Sequence, residues 1–349
     1  MQQRNNYKED DTMSYTAQDF KSNQEVRWCP GCGDHAVLAA LQRSLPSVAG
    51  SLDLPKEKFV VVSGIGCSSR LPYYMDTFGF HGIHGRATAL STGLKVARPE
   101  LCVWQACGDG DALAIGGNHF IHAIRRNVDL NIILFNNQIY GLTKGQYSPT
   151  SKFGAITKTS PYGTVENPFT PGQLVIGARG TFFARGLDVD MKTNQEIFLA
   201  AALHKGASVC EMLVNCMIFN DGAHAAISAR EVRADKTIIL RDGEKMIFGA
   251  NNDKGLVLEN GALKAVTIGQ DGYTMDDILV HHADTKDTFM HSMLIDMKED
   301  LPVALGVIRN VVDSTYDENV EKQLQEVTAA AKVHSVDELL HSGSTWEVK

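Results

Sequence analysis

Residues 101–141 read LCVWQACGDGDALAIGGNHFIHAIRRNVDLNIILFNNQIYG, and this stretch decides the fold. Two apolar runs, LCVWQACGDG (101–110) and LNIILFNNQIYG (130–141), each close on Gly, Asp or Asn, and DALAIGGNHFIHAIRRN (111–127) between them has the length and spacing of a helix. KFVVVSGIG (58–66) is an earlier run of the same form, and GRATALSTGLKVA (85–97) supplies the helix that follows it. Strand and helix in alternation predict an α/β fold with a parallel sheet flanked by helices. Ligands of such sheets bind beyond the carboxyl ends of the strands, where the polar and glycine-rich clusters of this chain fall.

Working outward, the polar residues 1–26 read as a flexible arm. They lead to a turn, Arg27-Trp28-Cys29-Pro30-Gly31-Cys32-Gly33-Asp34, and a helix beginning HAVLAALQRSLP. Residues 144–180 are rich in Gly, Pro, Ser and Thr and read as a long ordered loop with a functional role. NQEIFLAAALHKG (194–206) is helical and ASVCEMLVNCMIFND (207–221) is a further buried strand. Beyond about 235 the pattern turns mixed, with short strand-like pieces and a charged, helix-prone end. The expected organisation is an arm (1–26), a cofactor-binding domain (27–235) and a C-terminal extension (236–349) to which the sequence assigns no chemistry.

With 349 residues, 44% of them hydrophobic, the chain can bury a sizeable core. Its net charge of -8 is spread along the sequence, and no Lys/Arg run suggests nucleic acid or an anionic membrane as a partner. Neither a signal-peptide core nor a membrane span is legible, so the expected location is cytoplasmic. Seven cysteines in such a chain argue against a disulfide framework and for metal binding or buried thiols.

Gly108-Asp109-Gly110-Asp111 and Asn136-Asn137-Gln138-Ile139-Tyr140-Gly141 end neighbouring strands. A diphosphate held through Mg²⁺ needs hard oxygen ligands, glycines that admit backbone to the phosphates and a helix N-terminus facing the charge. A lone Gly-Asp-Gly is most often a strand-ending turn, but the pairing with Asn-Asn across a helix favours the metal site. Asp111 is either part of that site or a helix cap. The pair Cys29 and Cys32, two residues apart on a turn, suits a soft metal, a zinc knuckle or a redox dithiol. Cys67 ends a strand on the same sheet edge as Gly108 and Asn136, which favours one shared site completed by Cys210 or Cys216. Cys102 and Cys107 fall in a buried strand and read as small hydrophobes.

With CPGCG (29–33), GIGCSSR (64–70), HGRATA (84–89), GDGD (108–111), NNQIYGLTKGQYSPTS (136–151) and CMIFN (216–220), the chain resembles the beta subunits of 2-oxoacid:ferredoxin oxidoreductases from residue 25 to about 235. The resemblance implies the diphosphate-binding module of thiamine enzymes. Mg²⁺ would be held by Asp109, Asn137 and the carbonyl of Ile139. Ile65, Gly66, Ser68, His84, Gly85, Gly108, Gly110, Asp111, Leu142 and Thr143 would bind thiamine diphosphate, and His84 and Lys144 would act in catalysis, Lys144 by reaching the diphosphate and the substrate carboxylate. A 4Fe-4S cluster would sit on Cys29, Cys32, Cys67 and Cys216. The choice of Cys216 over Cys210 follows from Phe219-Asn220, with Ile218 standing where the family usually has Thr. A separate alpha subunit would bring the glutamate that activates the cofactor, coenzyme A would accept the acyl group and ferredoxin the electrons. The stretch CSSRLPYYMDTFGFHGIHGRA looks most like the 2-oxoglutarate group, with pyruvate and branched-chain oxoacids as alternatives. A structural zinc protein and an electron-transfer subunit without thiamine are the rival readings.

Overall fold

Leu130–Asn136 (β4) and Ala207–Leu213 (β6) are buried at every position, as strands must be that have neighbours on both sides and cover on both faces. The computed structural model describes residues 14–297 and 300–348. Around these two strands stand Phe59–Ser63 (β1), Phe78–His81 (β2), Cys102–Gly108 (β3), Phe182–Leu187 (β5), Thr237–Leu240 (β7) and Val303–Asn310 (β11), in the order β2-β1-β3-β4-β6-β5-β11-β7. All neighbours run parallel except β5 and β11. Ile247–Phe248 (β8), Lys254–Glu259 (β9) and Ala262–Thr267 (β10) form a separate antiparallel sheet.

Because side chains alternate across a strand, one sheet builds two cores. Phe59, Val61, Trp104, Ile133, Phe135 and Met212 pack with the helices Asp34–Leu52 and Met191–Leu203. Val60, Val62, Val103, Ile132, Leu134 and Val209 pack on the opposite face with Phe120 and Ile124 of the helix Gly117–Arg125 and with Leu294 from the C-terminal part. The register aligns Ser63 with Ala106 and Gly108 with Phe135, so β1, β3 and β4 end close together. The chain passes from β1 to β2 on one side and then to β3 on the other, which makes the β1/β3 boundary the switch point where a crevice opens.

The α/β class and the parallel sheet are as the sequence predicts, and three local features differ. The expected strands 130–141 and 207–221 end at Asn136 and Leu213, which frees Asn137 and Cys216 to lie on loops. The expected helix 111–127 divides at Gly116 into a π-turn, Asp111–Ile115, and the α-helix Gly117–Arg125. β2 and β5 have no counterpart in the sequence reading, since a glycine interrupts FGFH and a charge interrupts FFARGL. Within the expected flexible arm, residues 1–13 lie outside the described residues. The rest is anchored: Phe20 is fully buried edge-on to Phe59, and Lys21 bridges to Met75. Residues on both sides of the expected boundary at 235 share the main sheet, because β7 and β11 belong to it. Among the described residues no helix is long and apolar enough to cross a membrane.

Candidate cofactor and metal site

A cavity of about 560 Å³ opens beyond the ends of β1, β3 and β4. Ile65, Gly66, Ser68, His84, Gly108, Asp109, Gly110, Asp111, Asn137, Ile139, Leu142 and Thr143 all line it, with Cys67, Tyr140, Gly141 and Gln146 beside them. Gly85 is buried behind the wall and donates its N–H to Asp111 at 2.7 Å. Lys144 departs from the expectation: it is exposed, in a left-handed conformation (φ 79°), and the lining passes from Thr143 to Gln146 without it. The turn that closes the loop, with Gly145 N–H on Tyr140 O, leaves Lys144 off the cavity wall.

Asp109 is buried, and its Oδ2 accepts hydrogen bonds from Ser148 Oγ (2.5 Å) and from Thr150. Burial pushes its carboxyl up to about 6, and the two hydroxyls work in the opposite direction. Both hydroxyl bonds fall on Oδ2, and the backbone N–H groups of Gly110 and Asp109 itself also favour the charged carboxylate. A cation in the cavity would supply the charge that this carboxylate lacks. Asn137 Oδ1 accepts from Ile139 N (3.1 Å) and keeps one lone pair free for a metal. The loop is held in place by Asn220, which donates to Asn137 O at 2.9 Å, and by Ser151, which donates to Gln138 O at 2.6 Å. Gly110 is required by close approach, since a Cβ there would lie 2.2 Å from the Tyr140 ring, whose hydroxyl donates to Gly110 O. The residues present thus fit an Mg²⁺-bound diphosphate.

Asp111, left between cofactor ligand and helix cap by the sequence, has a different set of partners. Its Oδ1 accepts from His84 Nδ1 (2.7 Å), Gly85 N (2.7 Å) and Ile65 N (3.2 Å), and no side-chain bond caps the turn that it opens.

The cysteines assemble against the same wall. Trp28 Nε1 donates to Cys67 O at 2.6 Å, and Gly33 N donates to Asn215 O at 3.0 Å, bringing the Cys29–Cys32 turn to the loops that carry Cys67 and Cys216. A Cβ on Gly141 would stand 3.5 Å from the sulfurs of both Cys67 and Cys216, which are therefore within about 7 Å of each other. Burial raises the Cys67 thiol to about 11, and the neighbouring Asp34, Cys216 and Cys29 add to it. The Cys32 thiol is raised by burial as well, then by Asp34, Cys216 and Cys67. The two inter-loop hydrogen bonds and the Gly141 contact thus bring the segments of Cys29, Cys32, Cys67 and Cys216 together. Cys210 lies apart in the middle of β6, fully buried between Ile133 and Ala184.

Thiolates on one Zn²⁺, at about 2.3 Å each, stand about 3.8 Å apart. Among the described residues, no three of these sulfurs lie within 4.8 Å of one another. Four cysteines on separate loops offer a ligand set for a soft metal centre.

The sequence did not single out Ser148, Thr150, Tyr140, Gln146 or Asn220 as parts of the site. Ser148 and Thr150 do fall in the quoted SPTS run, and hydroxyls beside a motif that demands a buried carboxylate were the available signal.

The family model for the C-terminal TPP-binding domain of thiamine pyrophosphate enzymes matches residues 64–212. The 2-oxoglutarate oxidoreductase subunit KorB of Mycobacterium tuberculosis is 47% identical over 335 residues, which covers 95% of this chain and 88% of that one. The 2-oxoglutarate synthase subunit KorB of Archaeoglobus fulgidus is 47% identical over 189 residues, 54% of this chain and 69% of that one. Among solved structures, a 2-oxoglutarate:ferredoxin oxidoreductase from Magnetococcus marinus with 2-oxoglutarate, coenzyme A and succinyl-CoA bound is similar with a TM-score of 0.74. It is 29% identical, and the match covers 95% of this chain and 97% of that one.

Proposed function

Since the chain belongs to the family of KorB subunits, the beta subunits of 2-oxoacid:ferredoxin oxidoreductases, we propose that with an alpha subunit it carries out coenzyme A-dependent oxidative decarboxylation of 2-oxoglutarate to succinyl-CoA and CO₂, with ferredoxin as electron acceptor. The observation that carries this reading is that Cys67 and Gly141 belong to both sites: they line the cofactor cavity, and Gly141 sits against the sulfurs of Cys67 and Cys216. A cavity for thiamine diphosphate alone would suit simple decarboxylation. A thiolate group in its wall suits removal of electrons as well.

When bound, thiamine diphosphate supplies an electron sink for decarboxylation and the 4Fe-4S cluster accepts electrons one at a time. Asp109, Asn137 and the Ile139 carbonyl would hold Mg²⁺, and Gly108, Gly110 and Thr143 admit the diphosphate to the wall. Ile65 and Leu142 give the cavity wall an apolar portion beside these polar groups. Ser148 and Thr150 hold the Asp109 carboxylate through Oδ2 and so fix its orientation at the cavity wall. Residues 27–235 carry these groups. Residues 236–349 contribute β7, β11 and the cover over one face of the sheet. The reading includes a cytoplasmic location.

Anaerobic co-expression with the alpha subunit tests the reading. The expected results are iron and sulfide in the complex, thiamine diphosphate binding that depends on Mg²⁺, and ferredoxin reduction with 2-oxoglutarate and coenzyme A. Preference for pyruvate or a branched-chain oxoacid would redirect the substrate, and a colourless zinc protein without thiamine binding would sink the proposal.

A further inference from the structure

We propose that Asp111 is the positioning residue for His84: the two form a carboxylate–imidazole dyad in the wall of the cavity, so that His84 Nε2 faces the bound substrates as a proton acceptor. This inference rests on the thiamine-dependent reading for its chemistry, although the dyad itself is a property of the chain.

A carboxylate oxygen can only accept, so the 2.7 Å contact between His84 Nδ1 and Asp111 Oδ1 requires the proton to be on Nδ1. In the neutral ring the lone pair is then on Nε2, which has no hydrogen-bond partner among the described residues. The ring lines the cavity, with its side chain 36% exposed. Asp111 cannot turn away. Oδ1 is pinned by the N–H groups of Ile65 and Gly85, and Oδ2 sits so near Gly64 that a Cβ there would lie 1.9 Å from it. Oδ2 is also buried without a partner, so every hydrogen bond that the carboxylate accepts falls on Oδ1. On the other side, the Tyr140 ring meets the imidazole edge-on at 6.1 Å and is tethered through its hydroxyl to Gly110 O. The backbone at Asp111–Ile115 is a π-turn, a distortion that recurs at functional sites.

The chemistry balances simply. The S–H bond of the coenzyme A thiol breaks, its electron pair stays on sulfur, and an N–H bond forms at Nε2. The resulting imidazolium keeps its Nδ1–H on Asp111, and the proton can be returned in a later step.

The test uses the full chain purified with its alpha subunit and the variants Asp111→Asn, His84→Gln and both together. His84→Gln is expected to lower kcat by about 10²-fold or more. Asp111→Asn is expected to lower kcat at least about 10-fold while KM and thiamine diphosphate affinity stay within about 3-fold. The double variant should be no slower than His84→Gln, because Asp111 acts through His84. An unchanged kcat in Asp111→Asn, or a further loss of the same size in the double variant, overturns the proposal. A second readout needs no cofactor: carbethoxylation of His84 by diethyl pyrocarbonate, followed by peptide mass mapping, should be about 10-fold slower in Asp111→Asn, and equal rates would refute the dyad. Wild-type protein that binds no thiamine diphosphate would remove the functional reading and leave this reactivity ratio to decide the dyad. Should Asp111→Asn fail to fold, ¹⁵N-histidine spectra of the wild-type complex decide: the expected form of His84 carries its proton on Nδ1, and an Nε2–H form contradicts the proposal.

Discussion

Asn136 Nδ2 donates to Glu211 Oε1 at 2.8 Å with both side chains buried, joining the cofactor end of β4 to the ion pair between Glu211 and Arg185. Arg185 reaches on to the carbonyls of Ile295 and Ala304, and Asn136 Oδ1 lies 3.0 Å from the Thr150 hydroxyl that also meets Asp109. A polar chain thus runs through the sheet from the candidate metal ligand to the C-terminal part.

Breaking this chain at its ion pair leaves an uncompensated charge in the core. Glu211→Met is expected to destabilise the chain by about 3–5 kcal/mol, and Glu211→Met with Arg185→Met to recover most of that loss. Denaturant midpoints of the two variants check this, and a single variant that loses less than about 1 kcal/mol contradicts it.

Thr150→Val removes a hydroxyl from both Asp109 and Asn136 at nearly constant volume. Affinity for Mg²⁺, or for Mn²⁺ read by electron paramagnetic resonance in the presence of thiamine diphosphate, should fall about 10- to 100-fold. Unchanged metal affinity would remove Thr150 from the site.

Cys216→Ala should leave the anaerobically purified chain without its iron-sulfur absorbance, whereas Cys210→Ala should keep both iron and colour. Cys210 is locked in the middle of β6, and no backbone adjustment short of unfolding the strand brings its sulfur to Cys67. The reverse pattern of iron loss would reassign the fourth ligand.

To the pH dependence of the metal- and cofactor-free chain, His204, His224, His281 and His291, lowered by burial, contribute in one sense. Two raised carboxyls contribute in the opposite sense, Asp109 at about 6 and Asp34 at about 7, both pushed up chiefly by burial. Between the ordinary carboxylate value and these values the folded form binds more protons than the unfolded form. Stability contributed by these groups is therefore greatest near pH 4, falls as pH rises to about 6 and 7, and is flat beyond. Asp109 accounts for about 3 kcal/mol of that fall. The difference in urea stability between the wild type and Asp109→Asn isolates this contribution from that of the histidines: it should shift against the wild type as pH rises from 4 to 6, and a difference that does not change over that range would contradict the assignment.

Much of this site was legible because its chemistry demands particular residues at strand ends. Gly108-Asp109-Gly110 and Asn136-Asn137 could be placed at neighbouring strand ends from the alternation of strand and helix, and Cys67 on the same edge, whereas joining Cys29 and Cys32 to them took the family resemblance. The choice of Cys216 over Cys210 came only from the Phe219-Asn220 pair of the family resemblance, because an unbroken apolar run such as ASVCEMLVNC conceals that β6 stops at Leu213. Lys144 was misplaced because a left-handed turn cannot be read from TKGQ. Arg185 and Glu211 did leave a trace: a single charge inside each of two apolar stretches, FFARGL and VCEML, calls for a buried partner of opposite sign. Sequence spacing could not say that β5 and β6 are neighbours, in which Arg185 stands opposite Glu211.

Gly141 gives the cavity and the cysteine group a shared partition one residue thick. An insertion or deletion between Gln138 and Gly145 that improved the fit of one site would displace the other by the same amount. The segment can therefore drift in side-chain identity but hardly in length, and engineering of substrate range in this loop is confined to substitutions that keep its residue count.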